Sequence, residues 1–181
     1  MARDVTIEPI SIDGKDPEIS ELRFSPLTPD KKKVEIVNSH KDTKDFKKLW
    51  QIARIFTKAK IGSDLSNACI EVLQAKGEFA EQAHNVLIDD YSKSYSGKQS
   101  DILKQEVIIK LLAGATSYAA QNFLFQTIAL YDDGMTDIGR KHADLAGESL
   151  ASTEVLLPYV QNGLLGLLDC GKPILLISQR P

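Results

Sequence analysis

The stretch VIIKLLAGATSYAAQNFLFQTIALY, residues 107–131, decides the predicted fold class of this chain. Apolar side chains fall on nearly every side of a helix drawn through it, a pattern typical of a helix at the centre of a bundle or across a membrane. The stretch also holds one lysine and three amide side chains, which are costly inside lipid. It therefore predicts the central helix of a soluble bundle, from about residue 101 to residue 131.

A second helical pattern follows after a short turn. Residues 137–168 carry an apolar stripe, and Thr136 and Asp137 supply an N-cap and an acidic first turn. Two long helices joined by YDDGMT predict an antiparallel hairpin. Pro158 is expected to kink the second helix or to divide it, because proline lacks the backbone N–H and clashes with the preceding turn.

The rest of the chain divides into short helices and two terminal segments. Helices are expected at about 44–60, 64–76 and 79–92, and Ser63 is expected to cap the second of them. Residues 1–43 contain four prolines, many charges and short β-prone alternations such as VTIEPISI, which predict an extended arm with short strands. We therefore predict a mainly α fold, a bundle of five or six helices around the long hairpin. Its parts are the N-terminal arm (1–43), the bundle (44–171) and an apolar C-terminal tail (172–181).

Composition excludes several classes of function. The net charge of −3 gives no general attraction toward nucleic acid, so no nucleic-acid partner is expected. Cys69 and Cys170 form no CxxC pair, which argues against a zinc site or a disulfide framework. The N-terminus lacks the apolar region of a secretory signal, so a cytoplasmic location is expected. Glycine-rich phosphate loops and nucleophile motifs are absent from the sequence, and neither a metal nor a cofactor is predicted.

The segment TDIGRKHADLAGESLAS, residues 136–152, resembles a catalytic or metal site at first sight. On a helical wheel, however, its carboxylates do not share a side with its histidine. Asp137, Asp144 and Glu148 fall together on the side opposite the apolar stripe. We expect these three side chains to face solvent.

His142, by contrast, falls in the middle of the apolar stripe, together with Ser149 and Thr153. Buried polar groups have hydrogen-bond partners, and the facing helix 101–131 offers several, including Gln121. We therefore predict a buried polar network of His142, Ser149, Thr153 and Gln121. A histidine that binds a ligand or acts in catalysis, and a contact to another subunit, are the alternatives.

Glu81 and His84 have the Glu-x-x-His spacing of di-iron carboxylate bundles. Those proteins need two such motifs and two further carboxylates. The sequence has one, so we expect a chance spacing on an exposed face.

The strongest surface signal is basic. Residues 31–60 carry ten lysines and arginines against three acidic residues, and Lys47, Arg54 and Lys58 share one stripe of the first predicted helix. This predicted basic surface suits an anionic membrane surface, an acidic protein face or a polyanion. The alternative is a core-packed helix whose basic face is solvated and balanced by acidic residues elsewhere in the chain.

Three functions follow from these features. The favoured hypothesis is a non-enzymatic interaction or assembly subunit, a structural protein that forms a homo-oligomer or binds a protein partner through the arm and the tail. The second is a membrane-active protein that binds through the basic surface and inserts the apolar hairpin. The third is a small-molecule-binding bundle or enzyme that uses a buried His142, which predicts a pocket beside that residue.

Overall fold

A computed structural model describes residues 28–74, 77–94, 96–130 and 136–169. In these ranges the chain is helical and has no strand, which confirms the predicted mainly α class. The predicted short strands of the arm before residue 28 and the predicted tail (172–181) lie outside the described residues. The helices are α1 (Asp30–Ser39), α2 (Phe46–Lys58), α3 (Asp64–Leu73), α4 (Glu81–Lys93), α5 (Gln99–Leu111), α6 (Tyr118–Ala129), α7 (Asp137–Ala151) and α8 (Pro158–Asp169), with a 3-10 turn, Gly77–Ala80, before α4.

The prediction of an extended arm is wrong for residues 30–39, which form α1. This helix packs on α3 and buries Ile36 and Val37. Its sequence, DKKKVEIVNS, has too few apolar residues to show a helical stripe. A helix this short is stabilised by tertiary packing rather than by its own propensity, and that packing is not visible in the sequence.

The predicted single helix over 101–131 is also wrong, because the chain breaks it into α5 and α6. Gly114 has a φ of +73°, a left-handed conformation that glycine adopts without a Cβ penalty. Ser117 then begins α6 as its N-cap, and its hydroxyl accepts a hydrogen bond from the Ala120 N–H at 3.3 Å. The apolar residues of 107–130 are therefore divided between two separate helices and the turns next to them, and each helix has its own buried face.

The second half of the predicted hairpin divides at the proline, as expected. Helix α7 ends at Ala151 and α8 begins at Pro158. Helix α7 packs on α5 and α6, whereas α8 packs on α6 at the edge of the bundle. Close approach of α8 to α6 depends on Gly163, since a Cβ added there would lie 2.5 Å from Cζ of Phe125.

All eight helices that the structure describes contribute buried residues to one hydrophobic core. Leu49, Ile52 and Phe56 of α2 are fully buried, as is Leu124 of α6. Two helices start at side-chain caps that the sequence indicated. The Ser63 hydroxyl accepts from the Ser66 N–H at 3.2 Å, and the Thr136 hydroxyl accepts from the Gly139 N–H at 3.3 Å.

Candidate functional site

His142 lies on α7 and is only 5% exposed. Its Nδ1 is 2.9 Å from the hydroxyl of Tyr91 on α4, and the two rings are tilted with centroids 5.8 Å apart. The expected partner on the helix 101–131 is therefore replaced by one on α4. The other ring nitrogen, Nε2, is buried and has no hydrogen-bond partner among the described residues. Leaving such a group without a partner costs about 1–3 kcal/mol.

Ser149 and Thr153 are buried as well, and the hydroxyls of both donate to backbone carbonyls. The Ser149 hydroxyl donates to the Ile109 carbonyl of α5 at 3.1 Å, which links α7 to α5. The Thr153 hydroxyl donates to the Ser149 carbonyl at 3.2 Å, a local bond at the end of α7.

Gln121 is fully buried and joins two loops. Its Nε2 donates to the carbonyls of Ala115 and Val155 at 3.1 and 2.9 Å, and its Oε1 accepts from the Leu157 N–H at 2.8 Å. The amide thereby fixes the turn before α6 against the segment between α7 and α8. The four predicted residues thus occupy three separate hydrogen-bonded places rather than one network.

The acidic residues of the same segment lie away from this site. Asp137, Asp144 and Glu148 are all exposed. Near His142 the ionic neighbours are Glu106 and Lys141, which form an ion pair at 2.8 Å. Burial lowers the pKa of His142, Glu106 opposes that shift and Lys141 adds to it. The imidazole is therefore neutral at neutral pH.

The predicted basic surface is divided in the structure. Lys47 is exposed at the start of α2, whereas Arg54 is half-buried with its guanidinium 4.9 Å from the centre of the Trp50 ring. Arg54 and Lys58 line a recess of 280 Å³ together with charged residues of α4 of both signs: Asp89, Asp90 and Lys93. The basic stripe of α2 thus faces carboxylates of its own chain on one side.

His84 was expected on an exposed face and is instead 3% exposed. Burial lowers its pKa to about 4, and its Nδ1 has no hydrogen-bond partner among the described residues. Glu81 is exposed, so the two side chains form no joint site. The spacing of Ala80, His84 and Leu87, four and three residues apart, is the signal that places His84 on the buried side of α4.

The described ranges contain no group of three or more histidine, cysteine or acidic residues that could hold a metal ion. None of their helices is both long and apolar enough to cross a membrane. Cys69 is buried, and burial raises the pKa of its thiol to about 12.

A cavity of 370 Å³ opens beside His142, between α4, α5, α6 and α7. His142, Tyr91 and Phe123 contribute rings to its wall, and the Tyr91 and Phe123 rings meet edge to face at 4.9 Å. The remaining described lining residues are uncharged: Gln105, Gln126, Thr127, Leu130, Thr136, Ile138 and Gly139.

Helix α8 forms a second unusual surface. It has no charged residue from Pro158 to Leu168, although it lies at the edge of the bundle and buries only Val160 and Leu164 completely. Its exposed apolar side chains adjoin an exposed tyrosine at the start of α6. We call this the α8 surface; its members are Tyr118, Val155, Tyr159, Leu165 and Leu168.

Comparison with family models, with curated proteins and with solved structures yields no match to this chain. The His142 cavity and the α8 surface are the features of the described residues that bear on function.

Proposed function

We propose that this chain is a non-enzymatic helical assembly subunit that associates with a second copy of itself through the α8 surface. The observation that carries the proposal is the run from Pro158 to Leu168, which has no charged residue although α8 lies at the edge of the bundle. Surface helices of bundles place charged or polar residues opposite their buried stripe. Helix α8 exposes the amides Gln161 and Asn162 and the terminal Asp169, but it also exposes Leu165 at 50% and Tyr159 at 48% of their surface.

The α8 surface extends beyond one helix. Tyr118 is 60% exposed and its ring lies 6.1 Å from that of Tyr159, which itself meets Phe125 edge to face at 5.9 Å. Val155 precedes α8 and is also exposed. Contiguous exposed apolar side chains mark interaction sites, and tyrosine is enriched at protein interfaces.

A second copy is the partner that this chemistry fits. In a two-fold dimer the same residues of both chains meet, so a charged patch would face its own charge. The α8 surface avoids that cost because none of its members is charged, and it offers aliphatic and aromatic side chains that pack against their own kind. The basic stripe of α2 would place positive charges of two chains opposite each other.

Both terminal segments are proposed to add contacts to this interface. Residues 30–39 belong to the bundle as α1, so arm contacts to a partner are proposed for residues 1–27 alone. The sequence after α8 continues with the apolar run PILLIS, residues 173–178. We propose that this tail extends the contact made by the α8 surface.

Light scattering during size-exclusion chromatography tests the role of the α8 surface. We expect the full chain to have twice its 20.0 kDa mass, and the double variant Leu165→Glu/Leu168→Glu to have the mass of one chain. Leu103→Glu is the matched control, because Leu103 is exposed to a similar degree (42%) on α5; it should leave the mass doubled. The proposal is contradicted if Leu165→Glu/Leu168→Glu keeps the doubled mass, or if Leu103→Glu has the mass of one chain.

A further inference from the structure

We propose that the cavity beside His142 binds an uncharged aromatic molecule that carries a hydroxyl or carboxamide group. The site lies between α4, α5, α6 and α7. It is separate from the α8 surface, and its function does not depend on assembly.

The polar end of the site is His142. Its Nδ1 is engaged with the Tyr91 hydroxyl, and its Nε2 is buried without a partner among the described residues. Buried polar atoms normally have a partner. The His142 ring lines the cavity, and a small turn of the ring would bring the covered Nε2 within reach of a ligand there. In a neutral imidazole one nitrogen donates and the other accepts. A hydroxyl or carboxamide can do either, so it fits both tautomers.

The apolar part of the site favours a ring. Tyr91 and Phe123 form an edge-to-face pair with an interplanar angle of 77°, and Leu130 and Ile138 add aliphatic surface. Aromatic ligands pack well against such rings. The volume of 370 Å³ falls within the range of about 300–1,000 Å³ that small-molecule sites occupy.

The residues that line the cavity determine which charge its ligand can carry. The described lining residues carry no charge, and a charged group that leaves water without a counter-charge is strongly disfavoured. The carboxylate that acts on His142, Glu106, is engaged by Lys141 at 2.8 Å, and burial keeps the pKa of His142 low. Among the described lining residues, neither an anion nor a cation therefore finds a free ionic partner.

Three probes of nearly the same shape test this assignment: benzamide (neutral), benzoate (anionic) and benzamidine (cationic). Saturation-transfer NMR measures their binding to the full chain, and the ¹⁵N shifts of the histidine rings locate it. We expect benzamide to bind about tenfold more tightly than either ion and to shift Nε2 of His142 but not the nitrogens of His84. Tighter binding of an ion, no transfer to benzamide, or unchanged His142 shifts overturn the proposal.

His142→Phe keeps a ring in place and removes both nitrogens, and we expect it to weaken benzamide binding about tenfold. The matched control is His84→Phe, because His84 is similarly buried, also has an unpartnered nitrogen and does not line the cavity. That control should bind benzamide as the unmodified chain does. Equal weakening in both variants contradicts the proposal. If His142→Phe does not fold, the ¹⁵N shifts of the unmodified chain decide the question.

Discussion

The Tyr91 hydroxyl and the His142 ring nitrogen Nδ1, from residues 51 positions apart in the chain, lie 2.9 Å from each other and join α4 to α7. The contact sets the orientation of the one inward-facing histidine of α7. It also forms part of the wall of the 370 Å³ cavity. A single hydrogen bond thus couples the packing of two helices to the shape of the candidate ligand site.

Replacing Tyr91 with phenylalanine removes this hydrogen bond and leaves Nδ1 of His142 without its partner. We expect the free energy of unfolding to fall by about 1–2 kcal/mol, measured by urea denaturation at neutral pH. Tyr159→Phe is the control, because Tyr159 is 48% exposed; a change below about 0.5 kcal/mol is expected there. Equal effects of the two substitutions would show that the Tyr91–His142 bond does not stabilise the fold.

Gly163 and Gly166 form a matched pair on α8. A Cβ at Gly163 would lie 2.5 Å from the ring of Phe125, whereas a Cβ at Gly166 meets nothing within 4 Å. Gly163→Ala should therefore destabilise the protein by about 1–3 kcal/mol through overpacking. Gly166→Ala should stabilise it by up to about 1 kcal/mol, because alanine is the better helix former. Thermal unfolding of both variants checks this, and a stabilising Gly163→Ala would mean that α8 does not approach α6 so closely.

Gln121 is predicted to hold the segment between α7 and α8 in place. Gln121→Leu removes three hydrogen bonds and leaves the Leu157 N–H without its acceptor. We expect a loss of about 2–4 kcal/mol and faster amide hydrogen exchange at Leu157. Gln126→Leu, an exposed position on the same helix, should leave both quantities nearly unchanged. Unaltered exchange at Leu157 in Gln121→Leu would contradict the assigned bonds.

The buried histidines predict a loss of stability in acid. Burial lowers the pKa of His84 to about 4, against about 6.5 in an unfolded chain. Between these values the unfolded state binds more protons, so stability falls as the pH drops from about 6.5 and the loss is complete near pH 4. The free energy of unfolding falls by about 3 kcal/mol over this pH range. The pKa of His142 is lowered as well, so its contribution has the same sign. Denaturation at a series of pH values should show this fall and a shallower one in His84→Met; a His84 NMR titration centred near pH 6.5 would exclude it.

Removal of the arm should be tolerated only up to the start of α1. A chain that begins at residue 28 keeps Ile36 and Val37, which are buried against the rest of the bundle, and should unfold as cooperatively as the full chain. A chain that begins at residue 44 loses both side chains. We expect it to be destabilised by several kcal/mol, at about 1.5–3 kcal/mol for each large buried side chain. Circular dichroism during thermal unfolding compares the two, and equal melting temperatures would contradict the packing of α1.

Local sequence signals predicted much of this fold. The mainly α class follows from apolar periodicity, and the starts of α3 and α7 follow from the caps Ser63 and Thr136. Pro158 marked the start of α8. The break at Gly114 escaped prediction because the residues on both sides of it are apolar, so the helical pattern continues across it.

The candidate site was less predictable, since it depends on contacts between distant parts of the chain. The wheel of α7 placed His142 inward, but Tyr91 as its partner is set by how α4 packs on its neighbours. The burial of His84 was not predicted, because its motif partner Glu81 lies on an exposed face. The spacing of Ala80 and Leu87 places His84 on the buried face of α4. In the sequence, the exposed apolar side chains of α8 resemble core residues. Only the position of α8 at the edge of the bundle shows that they are exposed.

The central claim, that the α8 surface joins two copies of this chain, is tested most directly by sedimentation equilibrium of the full chain over a range of concentrations. We expect a single monomer–dimer equilibrium that approaches twice the 20.0 kDa chain mass at high concentration. A constant mass of 20.0 kDa at every concentration would contradict the claim.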